Sequence, residues 1–240
     1  PSVLKKFGDD FVSASDVYAD EATEKAVLQN NLPLRPLTIP EIKQYVQGYA
    51  TAAKNSIRAG AAGVEIHNAN GYLPNQFLDP KTNKRTDEYG GSIENRARFT
   101  LEIVDTLIEA IGADKVGIRL SPFGTFGNMT GFDKEYIKTY EYLFKQFEER
   151  AQKGNKLAFV LLVEARFASG DGTLISSKDL RQGASNDFVY DLWSGPVIRA
   201  AGYGTLPDAT KEDANNGRTL FAFGRFFIAN PDLPDRLEQG

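Results

Sequence analysis

The stretch LAFVLLVEAR, residues 157–166, decides the fold. Residues 157–163 are apolar without interruption, and Glu164 and Arg166 end the run. A strand with one wet face alternates polar and apolar residues; an unbroken apolar run of this length reads as a strand of a buried parallel sheet. Just upstream, DKEYIKTYEYLFKQFEERAQKG (133–154) sets Tyr140, Leu143, Phe144 and Phe147 at helical spacing. Before that, KVGIRLSP (115–122) repeats the strand pattern. Strand, helix and parallel strand make the unit of a right-handed crossover.

The same alternation extends in both directions. Upstream, GVEIH (63–67) is a short apolar strand. SIENRARFTLEIVDTLIEAIG (92–112) is an amphipathic helix with Thr100, Val104, Leu107, Ile108 and Ile111 on one face. Residues 38–60 make an earlier helix. Thr38 and Glu41 have capping-box spacing, Pro40 fits the first turn, and Gly60 can stop it. Its apolar stripe is Ile42, Tyr45, Val46, Tyr49, Ala53 and Ile57. Downstream come a short helix (186–193), a strand (196–202), a helix (207–216), a strand (219–225) and a closing helical piece (230–239). Residues 1–37 are acidic and read as an irregular lead-in, and residues 1–240 read as one domain. The expectation is a parallel sheet of about five strands, covered on both faces and built from right-handed crossovers. An open doubly wound sheet and part of an eight-stranded barrel both fit. No Gly-x-Gly-x-x-Gly follows the first strand, which disfavours a dinucleotide-binding open sheet.

Composition narrows the function classes. The 240 residues are 41% hydrophobic and 25% charged, enough for a real core. A net charge of -4 gives no general attraction to nucleic acid or to an anionic membrane, and no apolar run is long enough to span a bilayer. The chain has no cysteine and one histidine. Disulfides, thiolate metal sites and multi-histidine metal sites are therefore excluded, and a cytoplasmic protein without a metal is the expectation. The chain opens at Pro1 and its only methionine is Met129, so a truncated start is a further expectation.

Polar residues collect where strands end: His67, Arg119, Glu164, Arg199 and Arg225. In parallel α/β folds that edge binds ligands. The segment VEIHNANGYLPNQFLDP (64–80) carries the chain's sole imidazole where a strand gives way to a segment read as an exposed loop. His67 and Asn70 could together donate hydrogen bonds to one substrate oxygen, as an oxyanion hole does. Tyr72 offers a phenolic proton. A structural histidine followed by a turn-forming Asn-Gly is the other reading. Arg119 could hold a phosphate or an anionic ring, or pair with a carboxylate. The small residues of AAGYG (200–204) and FGR (223–225) would let backbone N–H groups approach a phosphate, with Arg225 adding charge; ordinary turns would look the same. The charged segment NKRTDEYGGSIENRARF (83–99) reads as a scaffold network built on Arg85, Asp87, Glu94, Arg96 and Arg98.

Taken together, EIHNANGYLPNQFLDP, NKRTDEYGGSIENRARFTLEIVD, GIRLSPFGTF, SNDFVYDLWSGPVIRA and FAFGRFFIANPDLPDRL resemble the old yellow enzyme family of flavin-dependent ene-reductases, and its yeast members most closely. The resemblance spans nearly the whole chain. It implies a (β/α)8 TIM barrel, here a partial barrel carrying the fourth to eighth strands. It also implies FMN at the strand C-termini, NADPH as reductant, and hydride transfer to the β-carbon of an α,β-unsaturated carbonyl compound. His67 and Asn70 match the pair that binds the carbonyl or phenolate oxygen, and Tyr72 matches the proton donor to the α-carbon. Arg119 matches the arginine beside the flavin ring. Ala201, Gly202, Gly224 and Arg225 match the phosphate cradle, with Ala201 where relatives usually carry glycine. Phe126 and Phe167 fall in segments bordering the substrate pocket. Implied partners are small enones and phenolic or steroid ligands, with a homodimer in the longer protein. The five-strand segment by itself is expected to hold FMN weakly. A non-catalytic phenol- or steroid-binding module and an inert fragment are the alternatives.

Overall fold

The computed structural model describes residues 6, 10–165, 184–203 and 217–239. The helix expected over 207–216 lies outside them. The central feature is a five-stranded parallel sheet. Its strands are β3 (Val64–Asn68), β4 (Val116–Leu120), β5 (Phe159–Val163), β6 (Val197–Ala200) and β7 (Thr219–Ala222), and each pairs with the next in chain order. A smaller parallel pair, β1 (Phe11–Ser13) with β2 (Leu34–Pro36), stands apart from it. Between these two short strands runs α1 (Glu21–Gln29). The lead-in read as irregular is thus partly regular. Asp20 caps α1 by accepting the Thr23 N–H at 2.6 Å, a signal that the acidic composition hid.

Helices start where side chains satisfy their free N–H groups. Thr38 and Glu41 form the capping box of α2 (Ile39–Arg58), with Pro40 in its first turn. A short helix, α3 (Leu73–Leu78), follows β3. Ser92 then caps α4 (Ile93–Ile111), and Asp133 caps α5 (Lys134–Gln152) through Glu135 and Tyr136. One turn of helix, α6 (Val189–Leu192), precedes β6, and α7 (Arg225–Ala229) and α8 (Leu233–Gln239) follow β7.

The register places alternate residues of every strand on opposite faces. Ile66, Ile118, Val160, Leu162 and Val197 join one buried cluster. Ile42 and Val46 of α2, Phe99, Ile103 and Val104 of α4, and Leu143, Phe144 and Phe147 of α5 complete it, with Val189 and Trp193. Of the stripe expected on α2, Tyr45 faces outward, and Ala50, outside that stripe, is buried on the inner side of the helix.

The opposite face carries the row His67–Arg119–Leu161–Ile198–Leu220, paired strand to strand. Helices α2, α4, α5 and α6 all pack on the first face. The strands read as continuously apolar because this second face is also apolar at Phe159, Leu161, Val163, Ile198 and Leu220. That is the composition of a barrel's filled interior. Leu220 is 59% exposed, and neither β3 nor β7 has a second neighbour among the described residues. The sheet is an arc with helices outside it: a partial (β/α) barrel.

The charged segment 83–99 does act as scaffold. The Arg85 guanidinium, 7% exposed, pairs with Asp87 at 2.6 Å. It also donates to the carbonyls of Ala14 (2.9 Å) and Leu37 (2.7 Å), tying the lead-in to the barrel wall. Arg96 reaches the Leu78 carbonyl (3.0 Å) and Thr139 Oγ1 (3.1 Å). Most partners here are backbone carbonyls rather than the carboxylates that charge density suggests.

Candidate active site

His67 is the fourth residue of β3, half-buried, and faces the inner side of the arc. Its register partner on β4 is Arg119. Among the described residues the imidazole has no hydrogen-bond partner. Burial, and next the positive charge of Arg119, hold its pKa below the ordinary 6.5. The ring is therefore neutral at pH 7 and offers one N–H. The linkage sign follows: the folded chain binds this proton less readily than the unfolded chain. His67's contribution to stability is full above pH 6.5 and is lost as pH falls through the lower folded value. Because the chain has one histidine, a single imidazole resonance reports it. An NMR titration is expected to find a lower midpoint in the folded chain than in denaturant. A folded midpoint above 6.5 would contradict this environment.

After Asn68 the chain turns sharply. Asn70 and Gly71 are both left-handed, with φ of 54° and 71°. Asparagine tolerates that region better than most residues, and glycine enters it freely. The turn is held from several sides. Ser121 Oγ accepts the Asn70 N–H at 2.8 Å. Asn75 Oδ1 accepts the Gly71 N–H at 3.0 Å, and Gln76 Nε2 donates to the Gly71 carbonyl at 2.9 Å. The turn is also tightly packed: a Cβ at Gly71 would stand 2.7 Å from the Phe126 carbonyl oxygen and 2.9 Å from Gly127 Cα. Gly71→Ala is therefore expected to cost at least about 2 kcal/mol in urea unfolding, from the left-handed φ and the backbone clash together. A loss under about 0.5 kcal/mol would show the turn to be loose.

This turn brings the Tyr72 ring back over His67, with centroids 5.0 Å apart and planes at 60°. Tyr72 is 57% exposed and opens α3, whose Pro74, Asn75, Phe77 and Leu78 are buried. The segment expected to be an exposed loop is thus a short buried helix beyond Tyr72. The Asn70 side chain, half-buried between the two rings in sequence, forms no hydrogen bond among the described residues. Phe126 is exposed beside Gly71, on the rim of the same site. Phe167 lies outside the described residues.

Arg119 stands next to His67, and its Nε is buried without a hydrogen-bond partner among the described residues. Glu65, two residues before His67 on the same face, is not within ion-pair distance of it. Burial raises the Glu65 pKa, and the Arg119 charge opposes that rise. A cation with an unspent buried donor is a receptor for an anionic or acceptor-rich group.

Ala201, Gly202, Gly224 and Arg225 gather at the other end of the arc. Ala200 pairs with Ala222, so the residues that follow β6 and β7 are neighbours. Beside Gly224, the space that a Cβ would enter is open. Ala201 has φ 92° and Gly202 φ 82°. An alanine in that region is strained, which is the physical reason for glycine to be preferred there. This end lies three strands from His67, about 14 Å across the sheet.

Arg199 and Glu164 do not belong to the site. Arg199 pairs in register with Leu162, so it faces the helices. Its Nε and second terminal nitrogen contact the two Glu164 carboxylate oxygens at 2.7 and 3.0 Å, and Asp187 accepts at 2.8 Å. Sequence reading missed Ser121, Asn75 and Gln76, which hold backbone rather than ligand. Their only signal was polar residues at positions that proved buried or half-buried.

Comparison with known proteins identifies the family. Residues 4–240 match the sequence profile of the NADH:flavin oxidoreductase / NADH oxidase family. Enoate reductase 1 of Kluyveromyces lactis is 49% identical over 99% of this chain and 60% of its own length. A probable NADPH dehydrogenase of Candida albicans is 43% identical over 99% and 58%. Among solved structures, an old yellow enzyme from a Pichia species superposes with a TM-score of 0.87 at 39% identity, over 99% of this chain and 58% of that one. Morphinone reductase in complex with tetrahydroNAD superposes at 0.78 with 35% identity, over 98% and 61%. The chain thus spans about 60% of the length of relatives it matches almost end to end. No described helix is long and apolar enough to cross a membrane. With its profile match across residues 4–240, the chain belongs to the NADH:flavin oxidoreductase / NADH oxidase family.

Proposed function

We propose that the protein is an FMN-dependent oxidoreductase that reduces the C=C bond of α,β-unsaturated carbonyl compounds with hydride derived from NADPH. One observation carries this reading: a neutral imidazole, without a hydrogen-bond partner among the described residues, has its ring centroid 5.0 Å from that of an exposed phenol and lies beside an arginine whose buried Nε is likewise unpartnered among them. Family membership supports it.

The residues present fit a flavin. The buried Arg119 Nε offers a donor to an electron-rich ring, and the open space at Gly224 accommodates a group at the β6–β7 edge. Arg119 would hold the ring, and Gly202, Gly224 and Arg225 the phosphate, with Ala201 the least suited member of that cradle. Bound FMN would supply hydride, taken from NADPH, to the alkene β-carbon.

The chain's own groups do the remaining work. The His67 N–H and the Asn70 amide donate to the substrate carbonyl oxygen and draw electron density from the alkene. A neutral imidazole suits this, because it donates without taking up a proton that the reaction needs elsewhere. Tyr72 delivers its phenolic proton to the α-carbon. One hydride and one proton add across the double bond, and NADPH becomes NADP+. Phenols and steroids with an oxygen of similar placement would bind the same two donors.

The test uses 2-cyclohexenone and NADPH with the FMN-loaded protein. Cyclohexanone is expected to form in one-to-one ratio with NADPH consumed. His67→Ala is expected to weaken binding of a para-substituted phenol by about 1.5–3 kcal/mol, the loss of a hydrogen bond to a charged oxygen. NADPH consumption without cyclohexanone, together with unchanged phenol affinity in His67→Ala, would refute the reading.

A further inference from the structure

Resting on that reading of His67, Asn70 and Tyr72, we propose that Asn75 is a positioning residue. It holds Gly71 and, through Gly71, sets the side chains on either side of it where the reaction needs them. Asn75 touches no reacting atom. It sits in the first turn of α3, 1% exposed, with both ends of its amide engaged. Its Oδ1 accepts the Gly71 N–H at 3.0 Å. Its Nδ2 donates to the hydroxyls of Tyr136 (3.4 Å) and Tyr140 (3.3 Å) on α5. Those hydroxyls lie 2.8 Å from each other, and burial pushes both phenols above their ordinary pKa, so they stay protonated. The amide orientation is forced, because only an oxygen can face the Gly71 N–H.

The backbone that Asn75 holds is tolerated but not fixed by its own sequence. Asn70 and Gly71 are both left-handed, a conformation open to asparagine and glycine alongside ordinary ones, so hydrogen bonds from their surroundings select it. Gln76 grips the Gly71 carbonyl and Ser121 the Asn70 N–H, and among the described residues Asn75 is the one whose hydrogen bonds join the turn to α5. Without it the Gly71 N–H loses its partner, and the two left-handed residues can relax to ordinary conformations. Asn70 and Tyr72 flank Gly71, so one relaxation displaces both the oxygen-binding amide and the proton donor.

The experiment compares Asn75→Ala with Asn75→Asp, which keeps an oxygen for Gly71. The ligand-free chain is read by NMR for Gly71 amide exchange and for the cross-relaxation between the His67 and Tyr72 rings. The FMN-loaded protein is read for affinity toward a para-substituted phenol. Asn75→Ala is expected to exchange Gly71 at least about tenfold faster, to lose the ring contact, and to bind phenol about tenfold more weakly. Asn75→Asp is expected to restore all three to within about threefold. Tyr136→Phe, which removes one of the two hydroxyls that accept from the amide and leaves that of Tyr140, is expected to leave the ring contact in place. Should Asn75→Ala not fold, Asn75→Ser, whose side chain is too short to reach Gly71, is read in the same way. An intact ring contact in the Ala or Ser variant, or no rescue by Asp, overturns the proposal. Loss of the ring contact with rescue by Asp, in a protein that binds no phenol at all, upholds the positioning and overturns the functional reading instead.

Discussion

Replacing Tyr72 with phenylalanine is expected to slow alkene reduction by about 10²–10⁴-fold, the usual worth of a positioned general acid. Flavin reduction by NADPH should proceed at its original rate. The split follows from placement. Tyr72 is 57% exposed, with its ring 5.0 Å from that of His67, and so stands away from the β6–β7 end of the arc proposed to hold the phosphate. Phenylalanine keeps the ring contact and removes only the proton. Rapid-mixing measurement of the two half-reactions separates them. Equal slowing of both would assign Tyr72 to cofactor binding, and no slowing would remove it from the chemistry.

The second large effect concerns stability. Arg199 and Glu164 are 3% and 4% exposed and joined by two short bonds, so each needs the other. Arg199→Met leaves the buried Glu164 carboxylate with the Asn186 amide at 3.1 Å but without its cation, and is expected to cost about 3–5 kcal/mol in denaturant unfolding. Adding Glu164→Leu should recover much of that loss, because a matched apolar pair needs no compensation. If the single variant loses less than about 1 kcal/mol, the pair is not buried as described. If it unfolds and the double variant does no better, Asp187 and the neighbouring contacts carry more of the stability than the pair itself.

The same pair marks where sequence reading reached its limit. Both residues stand at strand ends, as His67 and Arg119 do, and one-dimensional pattern treats the four alike. Register separates them: Arg119 pairs with His67 on the inner face, whereas Arg199 pairs with Leu162 on the helix face. A shift of one residue in a strand exchanges the faces, and no spacing in the chain declares which applies. The five strands and the long helices were legible because apolar periodicity and caps such as Thr38–Glu41 are local. The nearness of His67 and Tyr72 was legible for the same reason, since one tight turn makes it. Helix α3 was not. It has six residues, no side-chain cap at Tyr72, and too little length for periodicity to show. Ala201 stood out in the sequence as an alanine where relatives usually carry glycine, and its φ of 92° gives that departure a physical cost.

The central claim is that an imidazole and a carboxamide converge on one ligand oxygen beside Arg119, with the Tyr72 phenol within reach. A crystal structure of the FMN-loaded protein with a para-substituted phenol tests it most directly. The phenolic oxygen is expected within about 3.2 Å of both a His67 ring nitrogen and the Asn70 side-chain nitrogen, with the flavin ring against Arg119. A phenol bound away from His67, or a flavin ring that leaves Arg119 without a partner, would contradict the account.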